Sequence, residues 1–308
     1  MLEPSCGSEI RQSFFPSAGE ESDRGPTTQQ RMERYAREAA PLALAAARQA
    51  LAEAGVPASR ITHLITVSCT GFAAPGVDIA LIKTLHLPFT VGRTHVGFMG
   101  CHGALNGLRV ALSVVNADPT ARVLLCAVEL CSLHFQYGWD PQKAVANALF
   151  GDGAAALVAA SAERTSQDAW RMVTSGACLF PDSEDAMTWR IGDHGFEMTL
   201  SPRVPSLIAE HVGPWLGSWL TGQSLTVPQI RSWAIHPGGP RILSAVADCL
   251  HLPDSAIAAS NEVLAEHGNM SSPTTLFILD RLRRDGAPRP CVALGFGPGL
   301  AIEAALFT

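Results

Sequence analysis

The sequence predicts an α/β protein built from two halves that share one grammar. Short apolar, β-rich runs alternate with helix-length amphipathic stretches, the pattern of βαβ units and a largely parallel sheet. The 308 residues are 47% hydrophobic and only 16% charged, enough to bury more than a single core. Each half also places a chemically capable side chain just after a strand, Cys101 in the first and His236 in the second. Parallel sheets bind ligands at that edge.

The elements follow in order. Residues 1–26 are rich in Ser, Gly and Glu and read as a loop. Thr27 and Thr28 can cap a helix that runs to about Ala54 and stops at Gly55, with a kink or break expected at Pro41. A β-rich run at 61–67 ends in a turn marked by Gly71, Pro75 and Gly76, and a helix at 77–85 follows. A short strand at 94–99 leads into Cys101 and a small-residue helix at 103–116. The continuously apolar run 122–128 reads as a strand buried on both faces, followed by a helix at 142–150 and a strand at 153–160. In the second half, a strand at 170–179 gives way to a turn at 181–184 and a long helix at 202–220. A strand at 232–235 precedes helices at 240–250, 261–266 and 273–284, and strands at 291–294 and 301–307 close the chain. The halves divide at 165/166, giving 1–165 with the cysteine and 166–308 with the histidine.

Composition excludes several classes of function. The net charge is −6 with scattered Lys and Arg, so no basic stripe invites nucleic acid or an anionic membrane. No apolar run approaches the roughly 18 residues of a membrane span. Met1-Leu2-Glu3-Pro4 lacks the cationic start of a signal peptide, and with eight cysteines this points to reduced thiols in the cytoplasm. No Cys-x-x-Cys pair suggests a metal site. Cys126, Cys249 and Cys291 lie in apolar runs and read as core filling.

Three residues carry candidate chemistry. Cys101 follows Gly100 at the start of a helix, where unpaired N–H groups and the positive dipole end favour the nucleophilic thiolate. A buried, inert thiol is the other reading. His236, between a strand and Pro237-Gly238-Gly239, could keep Cys101 ionised and bond a developing oxyanion, or could be a turn histidine bonded to backbone. Asn269 could donate to a carbonyl oxygen without titrating, or cap the helix at 273, a role open also to Ser271 and Ser272.

Five ordered motifs give these residues a context. They are Gly100-Cys101, Leu149-Phe150-Gly151-Asp152-Gly153-Ala154-Ala155-Ala156, Ile235-His236-Pro237-Gly238-Gly239-Pro240, Gly268-Asn269-Met270-Ser271-Ser272 and Gly295-Phe296-Gly297-Pro298-Gly299. With them the chain resembles the type III polyketide synthases, the chalcone/stilbene synthase-like condensing enzymes of the thiolase superfamily, from about Ile61 to the C-terminus. The resemblance implies a thiolase-like layered αβαβα fold from two pseudo-duplicated halves and a homodimer. It implies a Cys101–His236–Asn269 triad: the cysteine takes an acyl starter from coenzyme A, and the other two hold malonyl-CoA as it loses carbon dioxide. Coenzyme A thioesters are then substrates, and no metal or redox cofactor is implied.

Pocket positions carry over one at a time. Trp170 and Phe196 fall at the family's two gatekeeper aromatics. Cys69 and Cys131 align with threonines of plant chalcone synthases, a thiol pair similar to bacterial tetrahydroxynaphthalene synthases, with small apolar wall filling as the simpler reading. Met187 aligns with a pocket glycine, and Ser271 with a cavity-wall serine. Trp170 and Met187 together argue for a small starter or a short product. The family's opening strand and helix, and the basic residues that grip coenzyme A, have no match in the sequence, so a shortened opening segment is expected. A carrier-protein-dependent initiating ketosynthase and a non-catalytic dimer partner are the competing readings.

Overall fold

The computed structural model describes residues 14–16, 18–20, 22–138, 140–161 and 169–308, so much of the opening stretch and the 165/166 division lie outside the described residues. The first half holds α1 (Thr28–Ala54), β1 (His63–Ser68), α2 (Val77–Leu85), β2 (Gly92–Gly97), α3 (Gly103–Ala117), β3 (Arg122–Leu130), α4 (Pro141–Leu149) and β4 (Asp152–Ala160). The second holds β5 (Met172–Leu179), β6 (Met187–Gly192), β7 (Gly195–Leu200), α5 (Val204–Thr221), β8 (Ser232–Ile235), α6 (Pro240–Leu250), α7 (Ala258–His267), α8 (Pro273–Arg284), β9 (Cys291–Gly297) and β10 (Ala301–Phe307).

Local chemistry sets the ends of α1. Thr27 and Gln30 form a reciprocal capping box, and Gly55 closes the helix in the left-handed region at φ 61°. The break expected at Pro41 does not occur, and one helix runs through it. Pro41 is exposed, so its ring faces solvent, while buried Ala39, Ala43, Ala46 and Ala47 hold the helix in the core packed on β3 and β4.

Eight strands form two sheets, ordered β2-β1-β3-β4 and β5-β10-β9-β8. β1 is parallel to β2 and β3, and β8 to β9, but β4 is antiparallel to β3, and β10 to both β9 and β5. The sheets are therefore mixed rather than largely parallel. The cause lies in two connections that do not cross a sheet face. α4 packs beside β7 instead of over the first sheet, so β4 re-enters from the end where β3 left. Pro298–Leu300 joins β9 to β10 as a tight turn, which allows only antiparallel pairing.

Side-chain alternation explains the layers. On β3, Val123, Leu125 and Ala127 face a core shared with α3 and α8, while Leu124, Cys126 and Val128 face α1 and α2. On β9 and β10, Ala293 and Ala305 face the same central helices, whereas Leu294, Phe296, Ile302 and Ala304 face α5 and α6. The result is the expected αβαβα stack. The strand trio β1-β3-β4 in one sheet corresponds to β8-β9-β10 in the other, each with one central helix beneath it.

A further element was not foreseen. β6 and β7 form a two-stranded antiparallel hairpin closed at Gly192↔Gly195.

Candidate active site

The turn before α3 is shaped by glycine. Gly100 has φ +74°, and a Cβ there would collide with Pro298. A 3₁₀ turn over Gly100–His102 leads into α3, and Cys101 within it is 6% exposed. Burial pushes its thiol up to about 11, against the pull of hydrogen bonds from Ser271 and Asn269. The helix terminus therefore does not by itself hold a thiolate, because removing a charge from water outweighs the field of one helix end. Cys69 is fastened to the same turn: its Sγ accepts the Gly100 N–H at 3.0 Å.

Asn269 arrives from the other half on the segment before α8. Its N–H donates to Leu149 O at 2.8 Å, its C=O accepts from Gly151 N–H at 2.9 Å, and its Oδ1 accepts from Ser271 N–H at 2.8 Å. Ser271 adopts φ 57° to make that bond. With Oδ1 occupied, the amide is oriented and Nδ2 lies 4.0 Å from Cys101 Sγ. It does not cap α8 by a side-chain bond, and neither does Ser272.

His236 stands at the end of β8, its N–H donating to Leu294 O at 2.8 Å. It is 1% exposed, and neither ring nitrogen has a hydrogen-bond partner among the described residues. Burial, with help from the nearby His102, lowers its pKa to about 3, so the ring is neutral. A buried imidazole with both nitrogens unmet is costly unless a ligand supplies the partner.

A cavity of about 250 Å³ opens onto Cys101. Of the pocket residues expected from sequence, Cys69, Cys131, Met187, Phe196 and Ser271 line it, as does Pro298 from the turn after β9; the loop expected at 295–299 is shorter, because β9 pairs with β10 through Gly297. Gly295 and Gly297 lie behind the nucleophile's turn, where a Cβ on either would strike His102.

Trp170 does not belong to this wall. It precedes β5 and packs against Phe307, its ring centroid 6.1 Å away. Phe307 ends β10, whereas the site lies at the start of that strand, roughly 20 Å distant at about 3.3 Å per residue. Aromatics that do line the cavity include Phe150, which bridges to Asn269.

Sequence reasoning also missed the groups that build the wall. Trp189 and Met198 line it from the hairpin, and Trp189 Nε1 donates to Cys69 O at 2.8 Å. His134 stacks on Phe196 with centroids 4.1 Å apart. Its Nε2 donates to Thr70 O at 2.6 Å and its Nδ1 accepts from Phe196 N–H at 2.9 Å. Those bonds fix one neutral tautomer, and burial lowers the pKa to about 4. Beneath lies Glu129, fully buried on β3. Its Oε2 accepts from Cys69 N–H at 2.8 Å and Thr70 Oγ1 at 2.7 Å, and its Oε1 from Ser272 Oγ at 2.6 Å. Burial pushes this carboxyl up to about 7. A glutamate inside an otherwise apolar strand was the signal that could have found it.

Comparison with known proteins agrees with this architecture. Residues 14–163 match the family described as chalcone and stilbene synthases, N-terminal domain, and residues 171–308 match its C-terminal domain, so the likeness begins well before Ile61. The 1,3,6,8-tetrahydroxynaphthalene synthase of Streptomyces peucetius subsp. caesius is 38% identical over 259 residues, covering 82% of this chain and 69% of the relative. The alpha-pyrone synthesis polyketide synthase-like Pks18 of Mycobacterium tuberculosis is 35% identical over 288 residues, covering 91% and 73%. The crystal structure of PKS-I from the brown alga Ectocarpus siliculosus superposes with a TM-score of 0.90 at 34% identity, covering 96% of this chain and 80% of that one. These likenesses favour the polyketide-synthase reading over the carrier-protein-dependent one. The chain belongs to the chalcone and stilbene synthase family and is a type III polyketide synthase, an acyltransferase-type enzyme with a thiolase-like fold.

Proposed function

We propose that this synthase loads an acyl starter from coenzyme A onto Cys101 and extends it with malonyl-CoA by repeated decarboxylative Claisen condensation before the product cyclises. The observation that carries the reading is the oriented Asn269 amide, 4.0 Å from the sulfur of a cysteine on a cavity wall. Residues 1–165 supply the nucleophile, and residues 166–308 supply His236 and Asn269.

Loading begins as His236, neutral and without a ring partner among the described residues, takes the Cys101 proton. The sulfur attacks the starter carbonyl, the bond to the coenzyme A sulfur breaks, and His236 returns the proton to that leaving thiolate. Malonyl-CoA then places its thioester oxygen between Asn269 Nδ2 and the His236 ring. Carbon dioxide leaves, the electron pair becomes an enolate held by the two donors, and the enolate carbon attacks the Cys101 thioester. Cys101 is released as the new carbon–carbon bond forms. Decarboxylation generates the carbanion, so no carboxylate base is used, and coenzyme A thioesters are substrates rather than bound cofactors.

The wall formed by Cys69, Cys131, Met187, Phe196 and Ser271 shapes the growing chain. A cavity of about 250 Å³ filled on one side by Met187 and Trp189 favours a small starter or few extensions. The enzyme acts as a cytoplasmic homodimer, testable by light scattering coupled to size exclusion. The deciding experiment incubates the protein with a panel of acyl-CoAs and malonyl-CoA and identifies products and the Cys101 adduct by mass spectrometry. Condensation products that vanish in Cys101→Ala support the reading. Use of malonyl-carrier protein in place of malonyl-CoA, or no adduct, overturns it.

A further inference from the structure

His102 follows the nucleophile directly, yet the reaction above gives it no role. It is 2% exposed, and its Nδ1 lies 2.7 Å from Asn106 Oδ1. Asn106 Nδ2 in turn donates to Glu303 Oε1 at 2.7 Å, and Arg109 Nη2 approaches the same oxygen at 3.2 Å. A carboxylate only accepts, so Asn106 turns its NH₂ to Glu303 and its carbonyl to His102, which must then carry its proton on Nδ1. The direction of the whole chain is fixed by chemistry.

Its placement is as specific as its direction. His102 and Asn106 stand one turn apart on the segment that begins with Cys101, in the first half of the protein. Glu303 lies on β10 in the second half, in register with Gly295 of β9. The His102 ring packs against Gly297, where a Cβ would overlap it, and a Cβ at Gly295 would press on the His102 Cα and Cβ. Three side chains, each at most 5% exposed, thus cross from the nucleophile's turn to the β9–β10 hairpin. Glu303 Oε2 is left without a partner among the described residues. Buried polar chains with an unmet oxygen are poorer stabilisers than apolar residues of the same volume, so stability alone does not call for them. What they can supply is a fixed geometry.

We propose that the His102–Asn106–Glu303 hydrogen-bond chain is a positioning device that holds the Cys101 turn against the β9–β10 hairpin, setting where the sulfur meets the acyl carbonyl. This rests on Cys101 being the acyl-accepting nucleophile proposed above. Displacing a reacting atom by about 1 Å can cost on the order of 100-fold in rate.

The test compares single-turnover acylation of Cys101 by acetyl-CoA and hexanoyl-CoA with alkylation by iodoacetamide, which makes little demand on sulfur placement. Asn106→Leu and Glu303→Leu should acylate about 10- to 100-fold more slowly. Their half-saturating acyl-CoA concentration and alkylation rate should stay within about 2-fold of wild type. Glu303→Gln keeps an oxygen for Asn106 and should acylate like wild type. His102→Phe, which keeps the packing but lacks Nδ1, replaces either leucine variant that does not fold. Acylation at the wild-type rate in the variants that cut the chain overturns the inference alone. So does a fall in acylation matched by alkylation and by the folded fraction in circular dichroism. No adduct on wild-type Cys101 overturns the proposed function and this inference with it.

Discussion

Glu129→Gln is the sharpest probe of the buried network beneath the cavity. The carboxyl sits near 7 because burial penalises its charged form more than its hydrogen bonds favour it. Measured from its ordinary value of 4.5, that displacement corresponds to roughly 3 kcal/mol at about 1.4 kcal/mol per tenfold change. The folded value lies above the unfolded one, so the contribution to stability is fully present below about 4.5 and is lost as pH rises through about 7. Glutamine mimics the neutral form. Its oxygen can occupy the Oε2 position, where Cys69 N–H and Thr70 Oγ1 donate, and its NH₂ can donate to Ser272 Oγ once that hydroxyl turns to accept. His134 and His236 have pKa values lowered to about 4 and 3, so they pull stability the other way as pH falls below 6.5, and Asp152 is raised to about 6. The difference between variant and wild type cancels those groups. Urea denaturation followed by tryptophan fluorescence from pH 5 to 8 should show glutamine gaining on glutamate by about 2–3 kcal/mol, with a plateau above pH 7. A difference that stays flat across that range would refute the argument that burial controls this carboxyl.

Other outcomes follow from the same geometry. Asn269→Leu should lower malonyl-CoA decarboxylation by about 100- to 1000-fold, the loss of one oriented donor, while Cys101 still takes an acyl group by mass spectrometry. Trp189→Ala should enlarge the cavity and shift the product spectrum to longer chains. Loss of its bond to Cys69 O should also cost about 1–3 kcal/mol in thermal melting. Trp170→Ala should leave the product spectrum unchanged, since that ring packs on Phe307 at the far end of β10. Gly100→Ala should destabilise the fold by about 1–3 kcal/mol through its positive φ, and by more through contact with Pro298.

The parts of the molecule legible in the sequence are those whose cause is local or periodic. α6 and α8 begin at Pro240 and Pro273, as the sequence predicts, because proline fits the first helical position and little else nearby. Cys101, His236 and Asn269 could be singled out because each sits beside a glycine or proline that a turn at a strand or helix end requires. The hairpin was missed although its alternation is present in Met187-Thr188-Trp189-Arg190-Ile191 and Phe196-Glu197-Met198-Thr199-Leu200. Two five-residue runs between longer elements are weak signals taken singly, and only their pairing across Asp193-His194 reveals them. Trp170 and Phe150 could not be told apart as wall residues from their types. What separates them is tertiary: Phe150 is paired with Asn269, whereas Trp170 packs on Phe307 at the far end of β10. The two influences on the Cys101 thiol differ in the same way. A helix terminus is visible in sequence, but the depth of burial that opposes it is not.

Burial also explains why this site suits the proposed reaction. Cys101 and Glu129 are raised, and His134 and His236 are lowered, so burial drives each of these four groups towards its uncharged form. The buried thiol and the two neutral imidazoles then offer no standing charge with which to abstract a proton from carbon. It is well matched to a reaction whose negative charge arises by loss of carbon dioxide and lasts only until the next bond forms. In a low-dielectric surrounding, a fixed amide acts strongly on a charge that appears beside it. Asn269, tied by both backbone groups and by Oδ1, needs no rearrangement to do so. His236, whose ring nitrogens have no partner among the described residues, stands to gain most when an oxygen arrives. An acid–base site of charged pairs would solvate the substrate's charge in advance, whereas this one leaves that stabilisation to the moment of condensation.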